Sequence, residues 1–265
     1  MKVNNSHISH WKAILLEDSL KEALSFPALK VPLKNEWAEE DGAEYDLSAP
    51  KLNPQEITLK FLVSEAHYVD FVNIFKRNTY NNFLFESLGK TYRLRLINIL
   101  KTQYVNGNFF LDLKFSNDNP FHGYTYSVPN LKAIDTNALL DGRKLSKYGV
   151  ILLEGCKQEI LAKGEIKKPL EIQNSLLNGA IVVEKQQFFK EKTAKLHCCI
   201  IQDSLSNLLS GYEAFFYDLT RPNERILTYE NTHRKCIYKD SRVTYLSFEK
   251  KSYWIDFELQ LTFIE

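Results

Sequence analysis

The side chains that could carry chemistry were tested by their spacing. Gly89-Lys90-Thr91 has the closing residues of a phosphate-cradling loop. Such a loop needs another glycine five positions before the Gly-Lys pair, so that its backbone N–H groups can turn toward a phosphate. Leu84 stands there, and the tripeptide reads as a turn into a strand. His197-Cys198-Cys199 offers three metal-ligand types in a row. Consecutive strand residues point to opposite faces, so the three cannot converge on one ion. His7 and His10 stand three apart near the start of the chain, and His67, His122 and His233 are isolated. The patterns G-x-S-x-G, H-E-x-x-H and G-x-G-x-x-G do not occur. No catalytic, cofactor-binding or metal-ligating residue is therefore assigned. The chain is expected not to be an enzyme and to use no cofactor.

Three clusters remain. Glu36, Glu39, Glu40, Asp41 and Glu44 surround Gly42, and read as a solvated hairpin tip or as a contact loop. The positions 137 residues on hold Gln173, Leu176, Leu177, Asn178 and Ile181, so a site needing those charges twice is not expected. Lys163, Lys167, Lys168, Lys190, Lys192 and Lys195 are interspersed with acids and read as solvated edges, which also discourage stray strand pairing. Glu249-Lys-Lys-Ser252 reads as a hairpin turn, and Tyr124 and Tyr126 as aromatics that could stack on a sugar.

The elements that would position these residues show a repeat. Ile14–Ala43 laid over Ile151–Ala180, at a constant offset of 137, matches at 11 of 30 positions without a gap. Among the matches are Glu22/Glu159, Lys30/Lys167, Pro32/Pro169, Gly42/Gly179 and Ala43/Ala180. Self-similarity at a fixed offset marks a duplication. Ile57, Leu59, Phe61 and Val63 alternate with mostly polar residues, as in a half-buried strand, and Ala194, Leu196, Cys198 and Ile200 repeat that spacing. A helix follows in each copy. Tyr68, Phe71, Val72 and Phe75 form one helical face in the first. Leu205, Leu208, Leu209, Tyr212, Phe215 and Phe216 form it in the second, with Asp203 the expected N-cap. Strands end both copies. Leu111–Phe115 matches Phe257–Leu261 at an offset drifted to 146, and Asn106-Gly107-Asn108 supplies hairpin-turn chemistry in the first copy. The stretch between the copies, with Asn119-Pro120, Gly123 and Pro129, is loop-like.

These patterns predict an α+β fold, mainly antiparallel β. Two tandem similar β-sandwich or partial-barrel units, each with one flanking helix, are expected at residues 1–130 (with the linker) and 131–265. The 265 residues carry a net charge of +1, which argues against binding nucleic acid through bulk positive charge. An apolar content of 44% with 25% charged residues excludes a disordered chain. Cys156, Cys198, Cys199 and Cys236 include no C-x-x-C pair, so reduced thiols are expected. The early segment has only the short apolar run Ala13–Leu16, and no signal peptide or membrane insertion is expected.

This order of elements resembles the tail-tube fold of tailed bacteriophages, as in distal tail proteins and the tube-like domains of baseplate hubs. The ending Phe109-Phe-Leu-Asp-Leu-Lys-Phe-Ser-Asn-Asp-Asn-Pro-Phe121 is similar to the distal-tail pattern of an alternating strand closed by Phe, then Asp, Asn and Pro-Phe. The resemblance implies a structural virion protein, assembled in the bacterial host cytoplasm and placed in the tail. It implies a homo-oligomeric ring (trimer or hexamer), contacts with other tail or baseplate proteins, and DNA only as passing cargo. The alternative reading is a β-sandwich module that binds carbohydrate or a receptor.

Overall fold

The computed structural model describes all residues except Glu17, Leu170, Asn174, Ser175, Leu177, Val183, Glu184, Lys185, Lys250 and Glu265. In chain order it begins β1 (Lys2–Val3), β2 (Ser6–His7), β3 (Ala13–Leu15), α1 (Ser19–Leu24), β4 (Lys34–Asn35), β5 (Glu44–Tyr45) and β6 (Gln55–Ser64). It continues α2 (Tyr68–Arg77), β7 (Asn81–Phe85), β8 (Lys90–Val105) and β9 (Asn108–Asn117). After a connection come β10 (Ala138–Leu140), β11 (Arg143–Lys144), β12 (Val150–Leu152), α3 (Cys156–Leu161), β13 (Glu171–Ile172), β14 (Ile181–Val182) and β15 (Lys192–Gln202). The last elements are α4 (Leu205–Leu219), β16 (Arg225–Tyr229), β17 (Thr232–Glu249) and β18 (Ser252–Phe263).

Two compact units result. The first is Met1–Pro27 with Leu52–Thr125, and the second is Ala28–Lys51 with Tyr126–Glu265. The sequence expectation was contiguous, at 1–130 and 131–265. In the structure the β4–β5 hairpin of the first copy is part of the second unit.

The first unit is a seven-stranded antiparallel sheet in the order β2-β1-β7-β8-β9-β6-β3. β8 gives Lys90–Leu94 to β7 and Arg95–Val105 to β9, so one long strand joins two half-sheets into a sandwich. The alternation in β6 works as written: Ile57, Leu59, Phe61 and Val63 are fully buried, as are Leu111, Leu113 and Phe115 on β9. Phe71, Val72 and Phe75 of α2 pack on this face, with ring centroids 5.1 Å apart for Phe61–Phe71 and 5.3 Å for Phe75–Phe115. Asn106 and Gly107 have φ of 47° and 77°, the left-handed pair that a tight two-residue hairpin turn demands between β8 and β9. Gly89 (φ 62°) closes the β7–β8 turn, the role read for it in sequence.

The second unit repeats the plan in the order β11-β10-β16-β17-β18-β15-β12. The registers coincide. Ala13 pairs with Val63 and Leu59 with Leu113 in the first unit, while Val150 pairs with Ile200 and Leu196 with Leu259 in the second. The partners are separated by the offsets of 137 and 146 read from sequence. Even the first bulge recurs, between Leu96/Asn98 in β8 and Tyr238/Asp240 in β17. Tyr212, Phe215 and Phe216 of α4 pack with Phe257 and Tyr238.

Three local features differ from expectation. Each unit has an extra six-residue helix, α1 or α3, too short to show a periodic stripe. α2 has ten residues, preceded by a single 3-10 turn at Glu65–His67. The N-cap of α4 is Ser204, whose hydroxyl accepts from the Asn207 N–H at 3.2 Å. Asp203 sits one residue too early and accepts instead from the Asn207 side chain.

The polar groups that close the two units differ. In the first, Gln55 Nε2 donates to Glu22, Ala23 and Ser25 carbonyls at the end of α1. In the second, Lys192 takes the Glu159 carbonyl and Arg234 those of Ile160 and Ala162. Orphan carbonyls at a helix end need such partners. Asp118, after β9, accepts from Arg95 through both carboxylate oxygens at 2.9 Å, from Tyr80 at 2.8 Å and from Ser116. Arg95 foremost holds its carboxyl well below the usual carboxylate range.

Phe216→Ala is expected to destabilise the second unit by about 3–5 kcal/mol, the cost of emptying a close-packed aromatic site, read by urea unfolding. A depressed folded-state pKa gives stability that is present above the unfolded value of about 3.9 and is lost as pH falls below it. Acid unfolding of the wild type should therefore include the loss of the Asp118 contribution. Asp118→Asn should melt lower at neutral pH and show a weaker acid dependence; an unchanged acid profile would count against this role.

Candidate functional site

The feature with the most purposeful chemistry is the seat of the β4–β5 hairpin in the second unit. Lys34 pairs with Tyr45 and Asn35 with Glu44, and the tip turns through Gly42 in the left-handed region (φ 65°). The hairpin is fastened along its length by backbone bonds. Leu29 N–H donates to the Lys239 carbonyl at 2.9 Å, Ala43 N–H to Ile264 at 3.3 Å and Gly42 N–H to Phe189 at 2.7 Å. The Asn223 N–H donates back to the Leu47 carbonyl at 2.8 Å. Leu29, Ala43 and Leu47 are buried.

Side chains complete the seat. Lys167 is 7% exposed, and its ammonium donates to the carbonyls of Trp37 (2.6 Å), Glu40 (2.8 Å) and Gly42 (2.7 Å). All three ammonium protons are thus placed on backbone oxygens of the tip. An ammonium has three donors and no acceptor, so this arrangement satisfies it fully without a carboxylate. Asp41 accepts from the Phe189 N–H at 2.7 Å. Glu191 accepts from Lys34 at 3.0 Å and from the Tyr45 hydroxyl. Burial, and then the Glu191 carboxylate, push the Tyr45 phenol well above its ordinary value, and the bond to Glu191 raises Lys34. An open cleft of ≈ 460 Å³ lies beside the tip, between Glu40–Glu44 and the Glu224–Lys235 pair.

The acidic cluster therefore divides. Asp41 is a contact residue and Glu44 accepts from the Trp37 indole, while Lys167 binds the backbone of the cluster rather than its carboxylates. Sequence reading treated Lys167 as one of several solvated lysines; the signal that marked it out was its identity with Lys30 across the repeat.

The remaining sequence candidates do not gather. His197 is exposed on β15 while Cys198 and Cys199 are buried. All four cysteines are free, and burial pushes the Cys199 thiol up to about 11 and Cys236 up to about 12. Among the described residues no group of three or more His, Cys, Asp or Glu is placed to hold a metal ion. Tyr126 stacks on Tyr217 and donates to Asp218, so its ring and hydroxyl are engaged. The turn expected at Glu249–Ser252 includes Lys250, which lies outside the described residues. No described helix is long and apolar enough to cross a membrane.

No family model matches the chain, and no curated protein matches it. Among solved structures it is similar to the SPP1 Dit (gp 19.1) protein, described as a paradigm of hub adsorption apparatus in Gram-positive-infecting phages. The identity is 10%, over 98% of this chain and 96% of that one, with a TM-score of 0.35.

Replacing Lys167 with methionine keeps most of the stem and removes all three hydrogen bonds. Because hydrogen bonds to charged groups are each worth about 1.5–3 kcal/mol, the tip should be cleaved roughly ten- to a hundredfold faster in limited proteolysis. The first unit should be as resistant as before, and an unchanged cleavage rate at residues 36–42 would show that the ammonium does not hold the hairpin.

Proposed function

We propose that the chain is a structural subunit of a phage tail or a related injection machine, a distal-tail or hub component. It forms a ring that joins tube to tip around a channel through which DNA passes as cargo. The observation that carries this reading is the hairpin of one copy seated in the unit built on the other. Two units of one topology in one chain, with a hairpin of the first repeat carried in the second unit, offer a step that can be repeated around an axis. Heterologous contacts of this kind generate closed rings when the rotation closes.

Other features support the same role. The ending of β9 and the residues after it, Phe109–Phe121, resemble the distal-tail pattern. A net charge of +1 suits a channel that lets DNA slide rather than one that holds it. In this reading the protein acts by geometry, as a trimer or hexamer in contact with other tail or baseplate proteins, within the virion tail and assembled in the host cytoplasm. It performs no catalysis.

Electron microscopy of the purified chain, or of particles that carry it, is expected to show a ring with a central hole. A protein that stays monomeric under every assembly condition, with no ring in the particle, would remove the reading.

A further inference from the structure

The cleft beside the hairpin tip has fixed walls, and a ring has no use for it. All of its lining lies within the second unit. Backbone bonds hold both sides. The Lys167 ammonium binds the carbonyls of Trp37 and Glu40, two of the lining residues. Opposite them, the Asn223 N–H is bonded to the Leu47 carbonyl at 2.8 Å, next to Glu224. Ile264 accepts from the Ala43 N–H at 3.3 Å and donates to the Lys235 carbonyl at 3.1 Å. The volume of ≈ 460 Å³ falls within the range of ligand pockets, roughly 300–1,000 Å³.

Charge in the cleft is unbalanced. Glu40, Asp41, Glu44 and Glu224 line it against a single ammonium, Lys235. Asp41 is committed to the Phe189 N–H, and Lys235 stands 3.7 Å from Glu224 with both side chains about half exposed. The Glu40 carboxylate has no hydrogen bond or ion pair among the described residues. Close like charges work against a compact fold. The hairpin does not need them for its shape, since the second hairpin has Asn178 and Ile181 where the first has Asp41 and Glu44.

An aromatic ring stands among these acids. Trp37 is 52% exposed, although tryptophan is on average well covered. Its indole N–H donates to Glu44 at 3.4 Å, so the carboxylate orients the ring. An oriented indole beside free carboxylates attracts a cation twice, through the ring face and through ion pairing.

We infer that the cleft receives an arginine side chain from another protein, with its guanidinium stacked on Trp37 and paired with Glu40, Glu44 and Glu224. The group is a guanidinium rather than an ammonium because it is flat, weakly hydrated and able to bind a carboxylate through two parallel bonds while it stacks. The cleft is open and larger than one side chain, so the arginine arrives within an extended segment. Tryptophan and arginine are also the residues that most often dominate binding energy at interfaces. The inference goes beyond the ring reading and does not depend on it.

The test is ligand-observed NMR on the full-length chain, titrated with the blocked tripeptide Gly-Arg-Gly. Its counterparts carry lysine or citrulline in place of arginine, citrulline having the same shape without the charge. The arginine peptide should bind saturably, and the other two should bind about tenfold more weakly or worse. Trp37→Ala should weaken binding about tenfold, as should Glu40→Gln combined with Glu224→Gln. Affinity should fall between about 0.05 M and 0.5 M salt, because the cleft is open to screening. Equal binding of the citrulline or lysine peptide would overturn the inference. So would an affinity that Trp37→Ala leaves unchanged, or no saturable binding up to about 20 mM peptide. The comparison of peptides needs only the wild type, so it decides even if a variant fails to fold. None of these outcomes bears on the ring, which microscopy tests separately.

Discussion

A buried ammonium without a carboxylate organises the second unit. Desolvating a charge costs several kcal/mol, and an unpaired one would not survive burial. Lys167 meets that constraint with three backbone carbonyls of one loop, all within 2.8 Å. The demand runs both ways. The loop must bend so that Trp37, Glu40 and Gly42 converge, and the left-handed Gly42 permits the bend. Lys167 thereby holds the tip of the hairpin together with the bonds that Phe189 makes to Asp41 and Gly42. The backbone bonds at Leu29, Gly42, Ala43 and Leu47 then have a defined register to fill.

Around this anchor the two units show how far one topology tolerates different polar chemistry. The apolar faces of β6 and β15 and the aromatic rows of α2 and α4 are interchangeable in kind. The groups that satisfy backbone carbonyls are not. An amide at Gln55 is replaced by an ammonium at Lys192 and a guanidinium at Arg234. The carboxylate hub at Asp118 has Ile264 at the equivalent place, where the backbone bonds to Lys235 and Ala43. Shape is specified by the core, while each unit settles its hydrogen bonds locally.

Much of this was legible in the chain. Period-2 alternation placed Ile57–Val63 and the helical face placed Phe71 and Phe75 because burial dictates residue type at each step. The fixed offset implied equal registers, and Leu59–Leu113 with Leu196–Leu259 shows them. The hairpin's destination was not legible. Its seat depends on polar residues whose partners lie more than a hundred positions away, and no periodicity encodes such a pairing. Lys167 looked like its solvated neighbours because nothing in a local window distinguishes a lysine that donates to carbonyls from one that faces water. The six-residue helices escaped for a similar reason, being shorter than the stripe that would reveal them.

The distance along the chain between the hairpin tip and its anchor also governs how the protein is made. Gly42 and Lys167 are 125 residues apart, and synthesis proceeds at about 5–20 residues per second. The tip therefore leaves the ribosome several seconds before the lysine that will hold it exists. During that interval the leading sheet can complete its own pairings while residues 28–51 wait as a nascent, water-exposed arm. A chain ending between Thr125 and Lys167 would hold every residue of the first unit and the arm, but not the lysine that holds its tip.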